Sequence, residues 1–378
     1  MRRWIRTESR SFIDGKIINP NPTNIDFLEI GNPCNFSCPD CEFGEMQSAP
    51  AFDRQEEVDL ITKVMEDYPE SSFFLYPPEI TTSPYLLPVM KATRQRITLT
   101  NGLGLNERML DRLKEAGLRY LKVTLFATPG EQMRWQAIQE PMYWRIRKNI
   151  ERAVDKGFRV FLNTVLNKDN LGSIVPLARQ SNDMGIDRIK FIRERTPVWK
   201  PWYLAEEDMD RLIRNVEEAK QGPSPRIQLS LTGAGPNLYG KSLDEARKKL
   251  PPQRGEWPKS PYLCPAIDQN YWGISPRRGK VYGCFFMTVG DPVWEIGTLD
   301  QKTKKVQITG GLDLRPSTLK KRLRGNCAED ACEYQSVCMG GCRRTAYMTA
   351  KWKGEKDPLY AGMDICLTKT YGRVMGNK

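Results

Sequence analysis

Between residues 24 and 232 short apolar runs alternate with amphipathic stretches, and that alternation leaves few folds open. NIDFLEIG (24–31), SFFLY (72–76), RITLTNG (96–102), YLKVTLFA (120–127), FRVFLNTVL (158–166) and IDRIKFIR (186–193) read as strands. Helix patterns lie between them. Asp53 can cap a helix carrying Val58, Ile61 and Met65, and Met109, Leu110, Leu113 and Ala116 form an apolar stripe stopped by Gly117. Ile146, Ile150, Ala153 and Val154 lead to Gly157, and Ile174, Leu177 and Ala178 mark one more helix. Strands spaced by helices of this length pair in parallel through right-handed crossovers. Six such units are too few for a closed eight-fold barrel, and no G-x-G-x-x-G follows the first strand. A helix from about 205 to 220 and an extra strand, RIQLSLT (226–232), close the unit.

The rest of the chain has a different character. Residues 1–23 form an N-terminal extension, too short for a separate recognition domain. Residues 233–262 hold five prolines and four glycines with little period and read as a linker. Residues 263–378 are cysteine-rich with short strands, and such a segment needs staples to be stable. No apolar run approaches the roughly 20 residues that span a bilayer, and the basic N-terminus lacks a signal peptide's apolar region. A soluble, cytoplasmic protein is expected. In that compartment ten cysteines suggest metal ligands rather than disulfides.

The cysteines fall in two groups. Cys34, Cys38 and Cys41 stand as C-x3-C-x2-C just after the first strand, where barrel enzymes keep their chemistry. Three thiolates can hold three irons of a [4Fe–4S] cluster and leave the fourth iron open. None follows until Cys264, after which come Cys284, Cys327, Cys332, Cys338, Cys342 and Cys366. The run C-x4-C-x5-C-x3-C could also make an all-cysteine zinc knuckle. Zinc would account for neither the early triplet nor the odd number of later cysteines.

Histidine is absent, which removes imidazole as base, proton shuttle and zinc ligand and excludes Ser-His-Asp hydrolases and H-E-x-x-H proteases. Acid–base work falls to Asp, Glu, Tyr, Lys or water. The formal charge of +12 points toward nucleic acid at first sight. Thiolates bound to metal would lower it, and the remainder is spread over solvated runs such as 247–249 and 320–324. An acidic peptide or a phosphorylated substrate is the functional alternative.

The triplet at the end of the first strand of an α/β unit resembles the radical SAM superfamily, whose fold is a partial (β/α)6 barrel. That resemblance implies S-adenosylmethionine (SAM), chelated at the open iron, as cofactor. In the family a Gly-Gly-Glu-Pro stretch after the second strand meets the SAM amino group. Here YPPEITTSP keeps Glu79 at the glutamate position, while Pro77 and Pro78 replace both glycines and remove backbone donors. Thr100-Asn101-Gly102 matches a common ending of the third strand, although such a tripeptide also serves as a plain turn. Thr124 and Asn163 match the polar positions on strands four and five that reach ribose and carboxylate. The residue before the third cysteine, usually aromatic beside adenine, is Asp40, so Phe36 or Phe43 would supply the apolar surface, or Asp40 would itself touch adenosine or substrate.

The later cysteines resemble the SPASM domain, with C-x14-G-x4-C from Cys264 through Gly279 to Cys284, then Cys327, Cys332, Cys338, Cys342 and a lone Cys366. The spacing of four residues between Cys327 and Cys332, rather than two, is the departure. The resemblance implies three [4Fe–4S] clusters: the SAM cluster, a distal auxiliary cluster on Cys327, Cys332, Cys338 and Cys366, and a proximal one on Cys264, Cys284 and Cys342. The proximal cluster would then keep an open iron, and no thiol is spare as a hydrogen-atom donor. Asp268, Tyr271 and Arg193 are the candidate acid–base residues.

The implied activity is a two-electron oxidation begun by hydrogen abstraction from a substrate C–H bond, with the auxiliary clusters as electron sink. Crosslink formation in a peptide is the first reading, and dehydrogenation of an aminosugar or aminocyclitol hydroxyl the alternative. The implied partners are a peptide or small-molecule substrate, a flavodoxin- or ferredoxin-type one-electron reductant, and a separate leader-peptide-binding protein. A non-catalytic iron–sulfur or zinc protein that binds nucleic acid is the reading from another class.

Overall fold

The computed structural model describes residues 11–13, 16–18, 22–39, 41, 52–193, 203–222, 225–230, 271–283, 292–310, 322, 346–347, 350–351 and 353–356. After an antiparallel ribbon of β1 (Ser11–Ile13) and β2 (Lys16–Ile18), β3 (Asn24–Leu28) pairs in parallel with β4 (Ser72–Tyr76). A second, five-stranded parallel sheet follows in chain order: β5 (Ile97–Thr100), β6 (Tyr120–Val123), β7 (Arg159–Leu166), β8 (Arg188–Arg193) and β9 (Arg226–Ser230). All six expected strands are present, and the segment at 226 supplies a seventh. The first is shorter than its apolar pattern, because the chain turns at Glu29 into the left-handed region, at φ +56°.

Helices α1 (Arg54–Asp67), α2 (Leu87–Ala92) and α3 (Glu107–Glu115) connect the early strands. Asp53 caps α1 through its carboxylate, which accepts from Gln55 N at 2.8 Å and Glu56 N at 3.1 Å. Its buried stripe is Glu57, Leu60, Ile61 and Val64, so the helix is rotated from the expected one and buries a carboxylate. Between β6 and β7 there are two helices rather than one: α4 (Pro129–Gln136), capped by Thr128, and α5 (Glu140–Asp155). The signal for α4 was the cap-and-proline pair Thr128-Pro129, not an apolar period. Helices α6 (Ile174–Asp183) and α7 (Met209–Gln221) complete the crossovers.

No backbone ladder joins β4 to β5; the two lie in separate sheets. Gln95 bridges the seam with its side-chain amide, accepting from Leu75 N at 2.8 Å and donating to Leu75 O at 3.3 Å and to Ile97 O at 2.8 Å. The amide thus stands in for a peptide group. Leu28, Phe74 and Tyr76 pack across the same seam against Ile97 and Leu99, so the inner faces of the two sheets meet.

A strand from the cysteine-rich segment joins the first half. β10 (Tyr271–Ser275) lies parallel to β3, with Tyr271 opposite Asn24 and Ile274 opposite Phe27. Then β11 (Lys280–Tyr282), β12 (Glu295–Leu299) and β13 (Val306–Ile308) extend the sheet antiparallel. Trp272 and Ile274 are buried in one core with Ile25 and Phe27, and Trp272 meets Tyr68 edge-on at 5.2 Å. Among the described residues no helix is long and apolar enough to cross a membrane.

Gln95→Leu leaves three buried backbone groups without this partner and is expected to cost about 1–3 kcal/mol in a denaturant titration. An unchanged midpoint would mean that the seam is held elsewhere.

Candidate active site

The cysteine loop leaves β3 at a point where both sides of one glycine are held. Gly31 has φ +84°, and a Cβ there would fall 2.5 Å from Ser83 Oγ, so no larger residue fits. Its N–H donates to Glu57 Oε2 at 2.8 Å, and its carbonyl accepts from Arg277 Nη2. Arg277 Nε in turn donates to Glu57 Oε1 at 3.0 Å, closing a ring of three residues from three elements. The Glu57 side chain is 1% exposed and that of Arg277 10%. Tyr85 adds a hydroxyl to Glu57 at 2.6 Å. Burial first, and then this carboxylate, push the Tyr85 hydroxyl pKa well above its ordinary value. Beside this ring Glu29 accepts from Ser275 Oγ and, at 2.7 Å, from Arg278 Nε, so the β10–β11 hairpin grips the loop at two carboxylates.

The next residues are fixed to the segment after β4. Asn32 N donates to Ser83 Oγ at 2.6 Å, its side-chain amide donates to Thr82 O, and Thr82 Oγ1 donates to Pro33 O at 3.2 Å. That segment is anchored by Glu79, which is fully buried. Glu79 Oε1 accepts from Thr81 N at 2.9 Å, Thr81 Oγ1 at 2.8 Å and Thr100 Oγ1 at 2.7 Å, while Oε2 accepts from Asn101 N at 2.7 Å. Burial raises the Glu79 pKa, and these donors oppose the shift. Both oxygens are thus committed to protein donors, and Glu79 acts on the site through the loops it ties together.

Asn101 carries the connection to the cysteines. Its Nδ2 donates to Asn35 Oδ1 at 2.7 Å and lies 3.6 Å from Cys34 Sγ, and its Oδ1 accepts from Leu103 N at 3.0 Å. Gly102 follows at φ +85°, where a Cβ would come within 3.0 Å of Val123 and Ile146. On the far side Cys38 Sγ lies 4.0 Å from Gln136 O, the last residue of α4. Gln132 ties that helix back to β6, accepting from Phe126 N at 2.7 Å and donating to Thr124 O at 3.2 Å.

Cys34, Cys38 and Cys41 are half-buried free thiols. Burial, followed by the charges of Cys41 and Cys34, pushes the Cys38 thiol up to about 12. Burial is also the largest cause of the upward shift at Cys34, with Glu79 adding to it and Asn101 opposing it. Three thiolates sharing this space repel one another unless a cation compensates them, which is the requirement an iron–sulfur core meets. Among the described residues no three such side chains stand close enough to hold a single metal ion, so what fits a cluster with three protein ligands is the chemistry of the donors, three thiols in one loop.

The register places the polar candidates in one row. Val123 lies opposite Leu162, and Asn163 lies opposite Lys190. One residue beyond β6, Thr124 is accordingly level with Asn163 at the cysteine end of the sheet. The Oδ1 of Asn163 is buried and has no hydrogen-bond partner. Phe36, 3% exposed, packs into the core from within the cysteine loop. Tyr271 lies at the other end of β3, opposite Asn24, where its hydroxyl donates to Asp26 Oδ2 at 2.5 Å. Arg193 ends β8 opposite Leu166, with its side chain outside the described residues, as are Asp40, Phe43, Asp268 and all seven later cysteines. Sequence reading missed Glu57 and Arg277. Glu57 had a signal, being an acid in register with Leu60, Ile61 and Val64, whereas Arg277 had none.

Residues 28–180 match the model of the radical SAM superfamily. A curated relative, a probable GTP 3′,8-cyclase of Saccharolobus islandicus, is 27% identical over 197 residues, covering 50% of this chain and 62% of that protein. The match thus spans less than two thirds of the relative. SuiB of Streptococcus suis bound to precursor peptide SuiA superposes with a TM-score of 0.62 at 16% identity, over 93% of this chain and 77% of that one. AnSMEcpe with bound AdoMet and Kp18Cys peptide gives 0.62 at 12% identity, over 94% and 97%. At these identities the likeness is one of fold, and the fold is the radical SAM α/β fold.

Arg277→Met, which strands the buried Glu57 carboxylate, is expected to cost about 3–5 kcal/mol, and adding Glu57→Leu to recover part of it. A double variant no better than the single would contradict the pairing. In the metal-free protein the alkylation rate of Cys38 should keep rising about tenfold per pH unit between about pH 8 and about pH 10, where an ordinary thiol levels off. The sign follows from the raised pKa, which leaves the thiol protonated until higher pH. A plateau near pH 9 would contradict the shift.

Proposed function

We propose that this chain is a radical SAM oxidoreductase acting on a peptide. Cys34, Cys38 and Cys41 would hold a [4Fe–4S] cluster, and SAM would sit against the row formed by Asn101, Thr124 and Asn163. When bound and reduced, that cluster supplies the electron that splits SAM into methionine and a 5′-deoxyadenosyl radical. The observation that carries the reading is a loop with three half-buried thiols, in which the Asn101 amide lies 3.6 Å from Cys34 Sγ, within a segment that matches the radical SAM superfamily.

The chain's own residues have three tasks. Glu79, Thr100 and Gly102 fix Asn101, and with it the geometry at Cys34. Glu57, Arg277 and Ser83 hold residues 31 and 32, which fixes the start of the cysteine loop. The unpaired Oδ1 of Asn163 offers an acceptor to a ligand hydroxyl or ammonium. Phe36 and the core behind it exclude water from one side of the loop.

The later cysteines, in SPASM-like spacing, would hold two auxiliary clusters that take the electron left on the substrate. Asp268, Tyr271 and Arg193 are the acid–base candidates, of which Tyr271 would act only at the far end of β3. A peptide substrate is supported by the solved folds of SuiB with a precursor peptide and anSMEcpe with a peptide, and by the basic charge of this chain. An external one-electron reductant and a separate leader-binding protein complete the reading.

Anaerobic reconstitution of the full chain with iron and sulfide, followed by dithionite and SAM, should yield 5′-deoxyadenosine and methionine. Cys34→Ala, Cys38→Ala and Cys41→Ala should each abolish it while cysteine-to-alanine changes after 263 leave it. Absence of SAM cleavage in a cluster-loaded protein would refute the reading, and turnover of GTP in place of a peptide would move the substrate to nucleotides.

A further inference from the structure

Among the described residues two large hydrophobic side chains are exposed, Met133 at 39% and Trp144 at 50%, and both lie on the consecutive helices α4 and α5. Single exposed apolar residues need no explanation, but here the setting does. Between 133 and 148 the chain carries four cations, Arg134, Arg145, Arg147 and Lys148, against one carboxylate, Glu140. Arg145 and Lys148 are exposed, and Lys148 lies one turn beyond Trp144 on the same face. Trp144 is held rigidly. Its indole N–H donates to Glu140 at 3.1 Å, Tyr143 packs edge-on at 5.0 Å, and the Arg147 guanidinium stacks 5.6 Å from its ring centroid. A fixed, half-exposed tryptophan ringed by cations is the anatomy of a binding hot spot for an anionic protein. Arg134 is already paired with Asp169 at 2.8 Å, so the unspent charge lies on α5.

The first of these helices, α4, reaches the cysteine site. Gln136 O, at the end of α4, lies 4.0 Å from Cys38 Sγ, and the next residue, Ala137, is exposed on the turn into α5. One peptide unit therefore separates a cluster-ligand position from an exposed residue on the turn that leads into α5.

We propose that the α4–α5 face is the docking surface for an acidic flavodoxin-type electron donor, the point at which reducing equivalents enter. This rests on the reading of Cys34, Cys38 and Cys41 as cluster ligands. In the transfer the flavin hydroquinone loses one electron and becomes the semiquinone, and the oxidised cluster gains that electron. The charge of the face speeds and orients the encounter, and Trp144 anchors it.

The test uses the reconstituted full chain, an acidic bacterial flavodoxin, and the variants Arg145→Glu/Lys148→Glu and Trp144→Ala. Binding to flavodoxin, followed by calorimetry at low ionic strength, should weaken about tenfold in each variant, and the wild-type affinity should fall as salt is added. SAM cleavage driven by reduced flavodoxin should fall in step, while cleavage driven by dithionite stays at the wild-type level. Equal loss with both reductants, or unchanged flavodoxin affinity, overturns the proposal. RNA binding that the charge reversals abolish while flavodoxin binding persists would reassign the face and also overturn it. No cleavage with dithionite in the wild type would instead sink the underlying radical SAM reading.

Discussion

The mouth of this barrel depends on the two hydrogen-bonding groups of Gly31. Its N–H is held by Glu57, its carbonyl by Arg277, and those two side chains pair with each other out of water. A buried ion pair is a weak source of net stability, since desolvation consumes most of the Coulombic gain. It is a strong source of geometry, because neither charge can move without stranding the other. The loop that carries Cys34 therefore starts from a fixed peptide plane. Arg277 belongs to the hairpin after β10, so the shape of the early cysteine loop depends on a segment almost 250 residues further on. The cysteine-rich C-terminal portion thus supports the first site through its leading strand, whatever its cysteines bind.

A second knot, at Glu79, extends the same logic. Its carboxylate gathers the end of β5 and the segment after β4, and Asn101 passes that order to Cys34. Pro77 and Pro78 stand where the family has glycines, and the loop here is organised by side-chain oxygens of Glu79, Thr82 and Ser83. The thiols are left half-buried, and those of Cys34 and Cys38 are raised in pKa, a costly state alone and a favourable one around a cation. Placing α4 against Cys38 then brings the outer surface within one peptide of the same centre.

Much of this was legible in the sequence, for identifiable reasons. The parallel strands announced themselves because a strand buried on both faces reads as a near-continuous apolar run, as in SFFLY and FRVFLNTVL. Gly117 and Gly157 marked helix ends because both take positive φ. The cysteine triplet was legible as local spacing. What was hidden is long-range or lacks a period. The pairing of β10 with β3, the Arg277–Glu57 ring and the Gln95 seam each join residues whose sequence neighbours carry no trace of the partner. Helix α4 was missed because its eight residues bury mainly Gln132 and Gln136, polar side chains that hydrogen-bond β6 and each other. Tyr271 is a further case: its place opposite Asn24, at the start of β3, follows from the parallel register and from nothing in its sequence neighbourhood.

The central claim is that the loop of Cys34, Cys38 and Cys41 presents an open iron to SAM. Electron–nuclear double resonance on the reduced, reconstituted full chain with SAM labelled by 17O in its carboxylate and 15N in its amino group tests it most directly. The account predicts hyperfine coupling from both labels, lost in Cys38→Ala. A reduced cluster signal with no coupling to either label would contradict it.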